Sequence, residues 1–229
     1  MELKLKTNIT QKESYQRVAA ILRLFIKENT KDLYETHYSK QFSYYSFSNM
    51  YPCEDDRVYK KGNIYTVEVR TLKEEFLDLK KYKNLETDEL VLLSANGGKL
   101  YYSSQGSIET ETPLYMGNKR IKTKQDLANL QEKIRENIIF RYLKSGVNQS
   151  DDIDALRKEL LDDENIEVSN SIVTIPFDSK RLNTGEALLY HCLYVKVKFN
   201  DNKLAKDVEK VIYAGGIGKN TSNGFGFIN

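Results

Sequence analysis

The sequence predicts an α+β protein made of two tandem lobes, each with the element order β-α-β-β-α-β. Three observations carry that expectation. Alternating and helical hydrophobic periods follow one another in that order twice along 229 residues. The length suits two lobes of roughly 110 residues each. A glycine-rich segment, Gly216 to Asn229, closes the second copy. The boundary is expected between residues 111 and 112.

In the first copy, Glu2 to Asn8 alternates Leu3 and Leu5 with Lys4 and Lys6, the period of a half-buried strand. Thr10 and Glu13 have the spacing of a capping box, opening a helix whose Val18, Ile21, Leu22, Phe25 and Ile26 share one face. Strands follow near Phe42 to Asn49 and Asn63 to Arg70; the second sets Tyr65, Val67 and Val69 against Thr66, Glu68 and Arg70. Leu72, Phe76 and Leu79 mark a helix from Leu72 to Lys83. Leu90 to Tyr102 then reads as extended chain, interrupted by Asn96-Gly97-Gly98.

The second copy opens with a short strand, Leu114 to Gly117, and a helix from Thr123 and Asp126 carrying Leu127, Leu130, Ile134 and Ile138. Glu167 to Phe177 and Ala187 to Phe199 are strands, Lys203 to Ile212 a helix, and Phe225 to Ile228 a final strand. The duplicated order is that of two ferredoxin-like lobes.

Composition bounds the function. With 40% hydrophobic and 30% charged residues, no run of 18 apolar residues and no signal-peptide pattern in Met1 to Thr30, a cytoplasmic protein without a membrane span is expected. Cys53 and Cys192 are isolated and read as reduced packing residues; with two histidines in the chain, a structural zinc site has few ligands. Asp151, Asp152 and Asp154 resemble a carboxylate cluster, but after Ser150 they suit a helix start, so neither a metal nor a cofactor is expected.

Net charge is +2, yet its sign is segregated. Pro113 to Gln149 holds eight Lys or Arg, Arg120 and Arg141 among them, against three acids, and Ser150 to Glu167 reverses the balance. Such a division can guide a polyanion to one face. In the strand Ala187 to Phe199, His191 is in phase with Leu189, Leu193, Val195 and Val197 and reads as a core histidine. Tyr190, Tyr194, Lys196 and Lys198 occupy the other face, where rings between cations could meet RNA.

The C-terminal segment reads G-I-G-K-N-T-S-N-G-F-G-F-I-N. A Walker loop would need glycine at Tyr213 and Ser or Thr at Asn220, and a dinucleotide fingerprint would need glycine at Thr221 and a following helix. The segment fits a polyanion-binding loop better, with Gly216, Gly218, Lys219, Asn220, Ser222, Gly224 and Gly226 as candidate contacts.

That ending, the two ferredoxin-like lobes and Tyr45-Ser46-Phe47-Ser48-Asn49-Met50 after the first helix together resemble the CRISPR-associated endoribonucleases that cut repeat RNA into guide RNAs, within the repeat-associated mysterious protein superfamily. The resemblance spans essentially the whole chain. It implies metal-independent cleavage of a precursor transcript, in which the substrate's 2′-hydroxyl attacks the adjacent phosphate and leaves a 2′,3′-cyclic phosphate. It also implies a histidine just after the first helix, and Tyr34-Glu35-Thr36-His37-Tyr38-Ser39-Lys40 supplies one. His37 is the candidate general acid or base, Lys40 a cation for the phosphorane, and Tyr34 or Tyr38 a positioning or proton-donating group. Of the catalytic tyrosine often found on the family's first helix there is none here beyond Tyr15 near the helix start, and Arg23 and Phe25 stand at the plausible places.

The expected partner is CRISPR repeat RNA, or precursor guide RNA, touching both lobes. Effector-complex subunits and a homodimer stay open. Two other readings stand beside this one: a non-catalytic RNA-binding subunit of an effector complex, and an unrelated ferredoxin-like metabolic or regulatory protein.

Overall fold

Alternation along Glu2–Thr7 (β1) buries Leu3, Leu5 and Thr7 and exposes Glu2, Lys4 and Lys6, which makes this segment the centre of a sheet covered on one side. The computed structural model describes residues 1–12, 15–29, 45–56, 58–73, 85–116, 124–148, 150, 152–161, 165–177, 188–219, 221 and 226–229. The chain divides into two units, residues 1–101 with 220–224 and residues 102–219 with 225–229.

In the first unit, β1 is followed by Gln11–Lys12 (β2), the helix Tyr15–Asn29 (α1), Tyr45–Phe47 (β3), Val58–Tyr59 (β4), Ile64–Thr71 (β5) and Leu90–Asn96 (β6). The sheet order is β3-β5-β1-β6, with every pairing antiparallel. Leu3 faces Val67 and Leu5 faces Tyr65 across the β1–β5 ladder, so the apolar residues of both strands share a face. Val18, Ile21, Leu22, Phe25 and Ile26 of α1 complete the core with Leu3, Leu5, Phe47, Tyr65, Val67, Val69 and Leu92. Complete burial of a Leu or Phe side chain stabilises by about 1.5–3 kcal/mol.

The helix does not open at Thr10, and Glu13, the other half of the expected capping box, lies outside the described residues. Thr10 Oγ1 accepts the amide of Lys61 at 3.1 Å, and Gln11 and Lys12 pair with Tyr59 and Val58, so the helix begins later, at Tyr15. Of the helix expected over 72–83, Leu72 and Lys73 are not helical, and the rest lies outside the described residues. The extended reading of Leu90 to Tyr102 holds only as far as Asn96.

The second unit comprises Ser107–Glu109 (β7), Leu114–Tyr115 (β8), the helices Lys124–Lys144 (α2) and Ile153–Leu161 (α3), Ile166–Phe177 (β9), Leu188–Phe199 (β10) and the helix Lys203–Gly215 (α4). Strand β10 pairs antiparallel with β9 over twelve residues on one side and with β7 and β8 on the other. The expected first strand is thus two short pieces. Beyond them lies the C-terminus: Ile228 bridges Thr110, Glu111 N donates to Phe227 O at 2.8 Å, and Asn229 N donates to Glu109 O at 2.7 Å. Where a strand was expected from Phe225, the described part is this single bridge.

Reading the tail as fourth strand, the order is 4-1-3-2, the same as in the first unit. Two ferredoxin-like lobes follow in plain terms. The Asn202 side chain caps α4 by accepting Ala205 N at 2.8 Å. Glu209 of α4 is wholly buried; its carboxylate accepts from Ser104 Oγ and, at 3.1 Å, from Gln105 N. Among the described residues, no helix is long and apolar enough to cross a membrane.

Candidate nucleic-acid interface

The glycine segment begins where α4 ends, and a helix end leaves carbonyl groups without intrahelical partners. Gly216 stops the helix: its φ of 73° is a conformation that favours glycine, while its amide still donates to Ile212 O at 2.8 Å. Gly218 has φ 86°, and a Cβ there would lie 2.9 Å from both Leu114 Cδ1 and Tyr115 O. At Gly226, φ is 65° and a Cβ would fall 1.9 Å from Ile217 O. Gly216 serves its backbone conformation, while at Gly218 and Gly226 neighbouring main chain also leaves no room for a side chain.

The amides confirm this inward role. Ile217 N donates to Gly226 O (2.9 Å), Gly218 N to Asn137 Oδ1 (2.8 Å), Lys219 N to Tyr115 O (2.8 Å) and Gly226 N to Pro113 O (3.0 Å). Gly216, Gly218 and Gly226 are buried, whereas Lys219 is exposed. An anion cradle of free amides, the basis on which the three glycines were chosen from the sequence, is therefore not formed by them. They shape the loop, and Lys219 presents its charge. Asn220, Ser222 and Gly224 lie outside the described residues.

Two side chains of α2 hold the segment: Asn137, which the sequence did not single out, and Arg141, which it counted only within the basic stretch. Asn137 Oδ1 accepts both Gly218 N and, at 3.1 Å, Arg141 Nε. The Arg141 guanidinium donates from Nη1 to Gly215 O at 3.0 Å and from Nη2 to Gly218 O. Gly215 is the last residue of α4, whose C-terminal end carries partial negative charge, so a cation is favoured there. Burial pushes the Arg141 guanidinium down to about 9, which keeps it charged at neutral pH. Arg141 had been counted with the surface basic stretch; it is a core residue. A signal existed, since Ile134, Ile138 and Arg141 recur at helical spacing on the buried stripe, while Phe140, off that stripe, is 50% exposed.

On β10, Leu193, Val195, Val197 and Phe199 are buried and Lys196 and Lys198 exposed, the expected alternation. Both lysines have carboxylate neighbours: Lys196 Nζ lies 2.6 Å from Glu109 Oε1 and Lys198 Nζ 3.2 Å from Glu167 Oε2. Cys192 shares their strand but is buried, and burial pushes its thiol up to about 12. Cys53, expected as a packing residue, is exposed instead.

His37, Lys40, Tyr34, Tyr38 and Arg120 lie outside the described residues, as does the side chain of His191. On α1, Arg23 Nε donates to Ala19 O at 3.1 Å and Phe25 is buried in the core. Asp152 Oδ1 accepts Ala155 N at 2.9 Å, a helix-capping use of one candidate metal carboxylate. Among the described residues no group of three or more His, Cys, Asp or Glu could hold a metal ion.

No family model matches the chain, and no curated protein matches it in sequence. Solved structures do match its fold along its whole length. A CRISPR associated protein Cas6 is 16% identical, with a TM-score of 0.61, covering 100% of this chain and 97% of its own. A Cas6-related protein from Pyrococcus furiosus is 12% identical at a TM-score of 0.66, covering 100% and 96%. A RAMP protein described as binding different RNA substrates is 12% identical at 0.65, covering 100% and 97%. These neighbours carry the names of the family that the sequence resembles, and at such identities what they share with this chain is the fold.

Proposed function

We propose that this chain is a metal-independent endoribonuclease that binds CRISPR repeat RNA and cuts the precursor transcript into guide RNAs. The observation that carries the reading is the end-to-end match of its two-lobed fold to Cas6 structures, to which the glycine-rich sequence from Gly216 to Gly226 adds support. The first lobe supplies the chemistry. The substrate's 2′-oxygen attacks the adjacent phosphorus as its proton is removed; the bond from phosphorus to the 5′-oxygen breaks, and that oxygen takes up a proton. The products are a 2′,3′-cyclic phosphate and a 5′-hydroxyl.

His37 serves one of the two proton transfers, a role to which a histidine side chain is suited near neutral pH. Lys40 stabilises the charge on the phosphorane, and Tyr34 or Tyr38 positions the reacting groups. RNA is held by Lys219, Lys196 and Lys198 of the second lobe, with Asn220, Ser222, Gly224 and Arg120 as further candidate contacts. Gly216, Gly218 and Gly226 contribute by fixing the shape of the loop.

Incubating repeat RNA with the protein in excess chelator tests the mechanism. Cleavage should persist, the upstream product should end in a cyclic phosphate, and His37→Ala should abolish cutting while RNA is still bound. Loss of cleavage in chelator, or full cleavage by His37→Ala, refutes it. A second reading, a non-catalytic RNA-binding protein of the same superfamily, is favoured by the likeness to the RAMP protein described as binding different RNA substrates. Binding without cutting, unchanged by His37→Ala, would select it.

A further inference from the structure

A fully buried guanidinium requires acceptors, and Arg141 takes main-chain carbonyls at both ends of one turn: Gly215 O, where α4 stops, and Gly218 O, the residue before Lys219. Its neighbour one helical turn back, Asn137, accepts both the Gly218 amide and Arg141 Nε. The turn from 215 to 218 is therefore clamped to α2 by a single polar unit. Lys219 follows immediately, its own amide fixed to Tyr115 O at 2.8 Å while its side chain is exposed. The main chain that leads into that exposed cation is the one that Arg141 and Asn137 hold.

We propose that Arg141 and Asn137 are positioning residues for RNA binding by the glycine loop: they touch no RNA, and they place Lys219 for contact with an RNA phosphate. The inference rests on the RNA-binding reading above. It adds to that reading the device by which the turn from 215 to 218 is held before RNA arrives, so that ordering this turn does not weaken binding. Arginine is suited to the task because its planar fork reaches two carbonyls while bonding Asn137; lysine, a point charge, cannot reproduce that geometry.

The test measures repeat-RNA affinity over a salt series for the full chain and for Lys219→Ala, Arg141→Lys, Asn137→Ala and the Arg141→Lys/Lys219→Ala pair, with thermal melting of each. Losing one phosphate contact to a single strand lowers the slope of log affinity against log salt by about 0.7. Lys219→Ala should show that loss. Arg141→Lys and Asn137→Ala should show the same loss with Lys219 still present, and the double variant should lose no more than Lys219→Ala alone.

A merely structural role would lower the melting temperature and leave the slope unchanged. A folded Arg141→Lys with the parent slope, or additive losses in the double variant, overturns the inference. Should Arg141→Lys fail to fold, Asn137→Ala and its pair with Lys219→Ala decide by the same criteria. If Lys219→Ala itself keeps the parent slope, the RNA contact by Lys219 is wrong, and the positioning role falls with it.

Discussion

Replacing Gly226 by alanine puts a methyl carbon where the fold leaves 1.9 Å to the carbonyl oxygen of Ile217, against a closest normal approach of about 3.0 Å. The obstacle is main chain, so no rotamer relieves it; the segments carrying residues 217 and 226 must separate. Holding alanine at the native φ of 65° costs about 1–2 kcal/mol. Separation also loosens the bonds from Ile217 N to Gly226 O and from Gly226 N to Pro113 O, each worth about 1 kcal/mol and more where buried partners stay unsatisfied. The total is at least about 3–4 kcal/mol, or roughly 12–16 °C of melting temperature for a lobe of this size.

Gly146 supplies the control within the same lobe. Its φ is 74° but nothing lies within 4 Å of an added Cβ, so Gly146→Ala should cost only the strain, about 1–2 kcal/mol, or roughly 4–8 °C. Calorimetric melting of the two variants separates steric exclusion from backbone strain. If Gly226→Ala melts within about 5 °C of Gly146→Ala, the close approach described here is not what requires a glycine at 226.

Two further expectations use smaller features. Burial disfavours the Cys192 thiolate, whose pKa is pushed up to about 12, so this thiol stays protonated until the pH nears that value. Alkylation at pH 8 followed by mass spectrometry should mark exposed Cys53 alone, with Cys192 reacting only in denaturant; equal labelling of both in the folded protein contradicts the burial argument. Glu109→Gln removes the carboxylate 2.6 Å from Lys196. If Lys196 meets RNA, affinity for repeat RNA should rise and the salt slope steepen by up to about 0.7, while stability changes by less than about 1 kcal/mol. An unchanged salt series would remove Lys196 from the interface.

Periodicity made the scaffold legible. Leu3 and Leu5 against Lys4 and Lys6, the apolar face of α1 and the alternation of β10 each follow from local pattern, and their order implied the strand pairing. What escaped was set by partners distant in sequence. Thr10 has the chemistry of a helix cap, but Lys61, fifty-one residues away, uses its hydroxyl instead. The terminal glycines were legible as positions needing unusual backbone, yet sequence could not say whether the space beside them is left for a ligand or filled by Ile217 and Tyr115. Arg141 was misplaced because a count of charges ignores helical phase. For His37 and its neighbours the inference remains one from position and resemblance.

The buried carboxylate of Glu209 has a consequence for where the second lobe begins as an autonomous piece. Its donors, Ser104 and Gln105, come from the stretch before β7, and β7 itself completes one side of β10. A fragment severed between Glu111 and Thr112 would carry α4 intact and yet expose one flank of β10, with a carboxylate stripped of both donors inside it. Severing before Tyr102 retains all of these. The run of chain from 102 to 106, outside every helix and strand, is thus a structural part of the lobe that follows it.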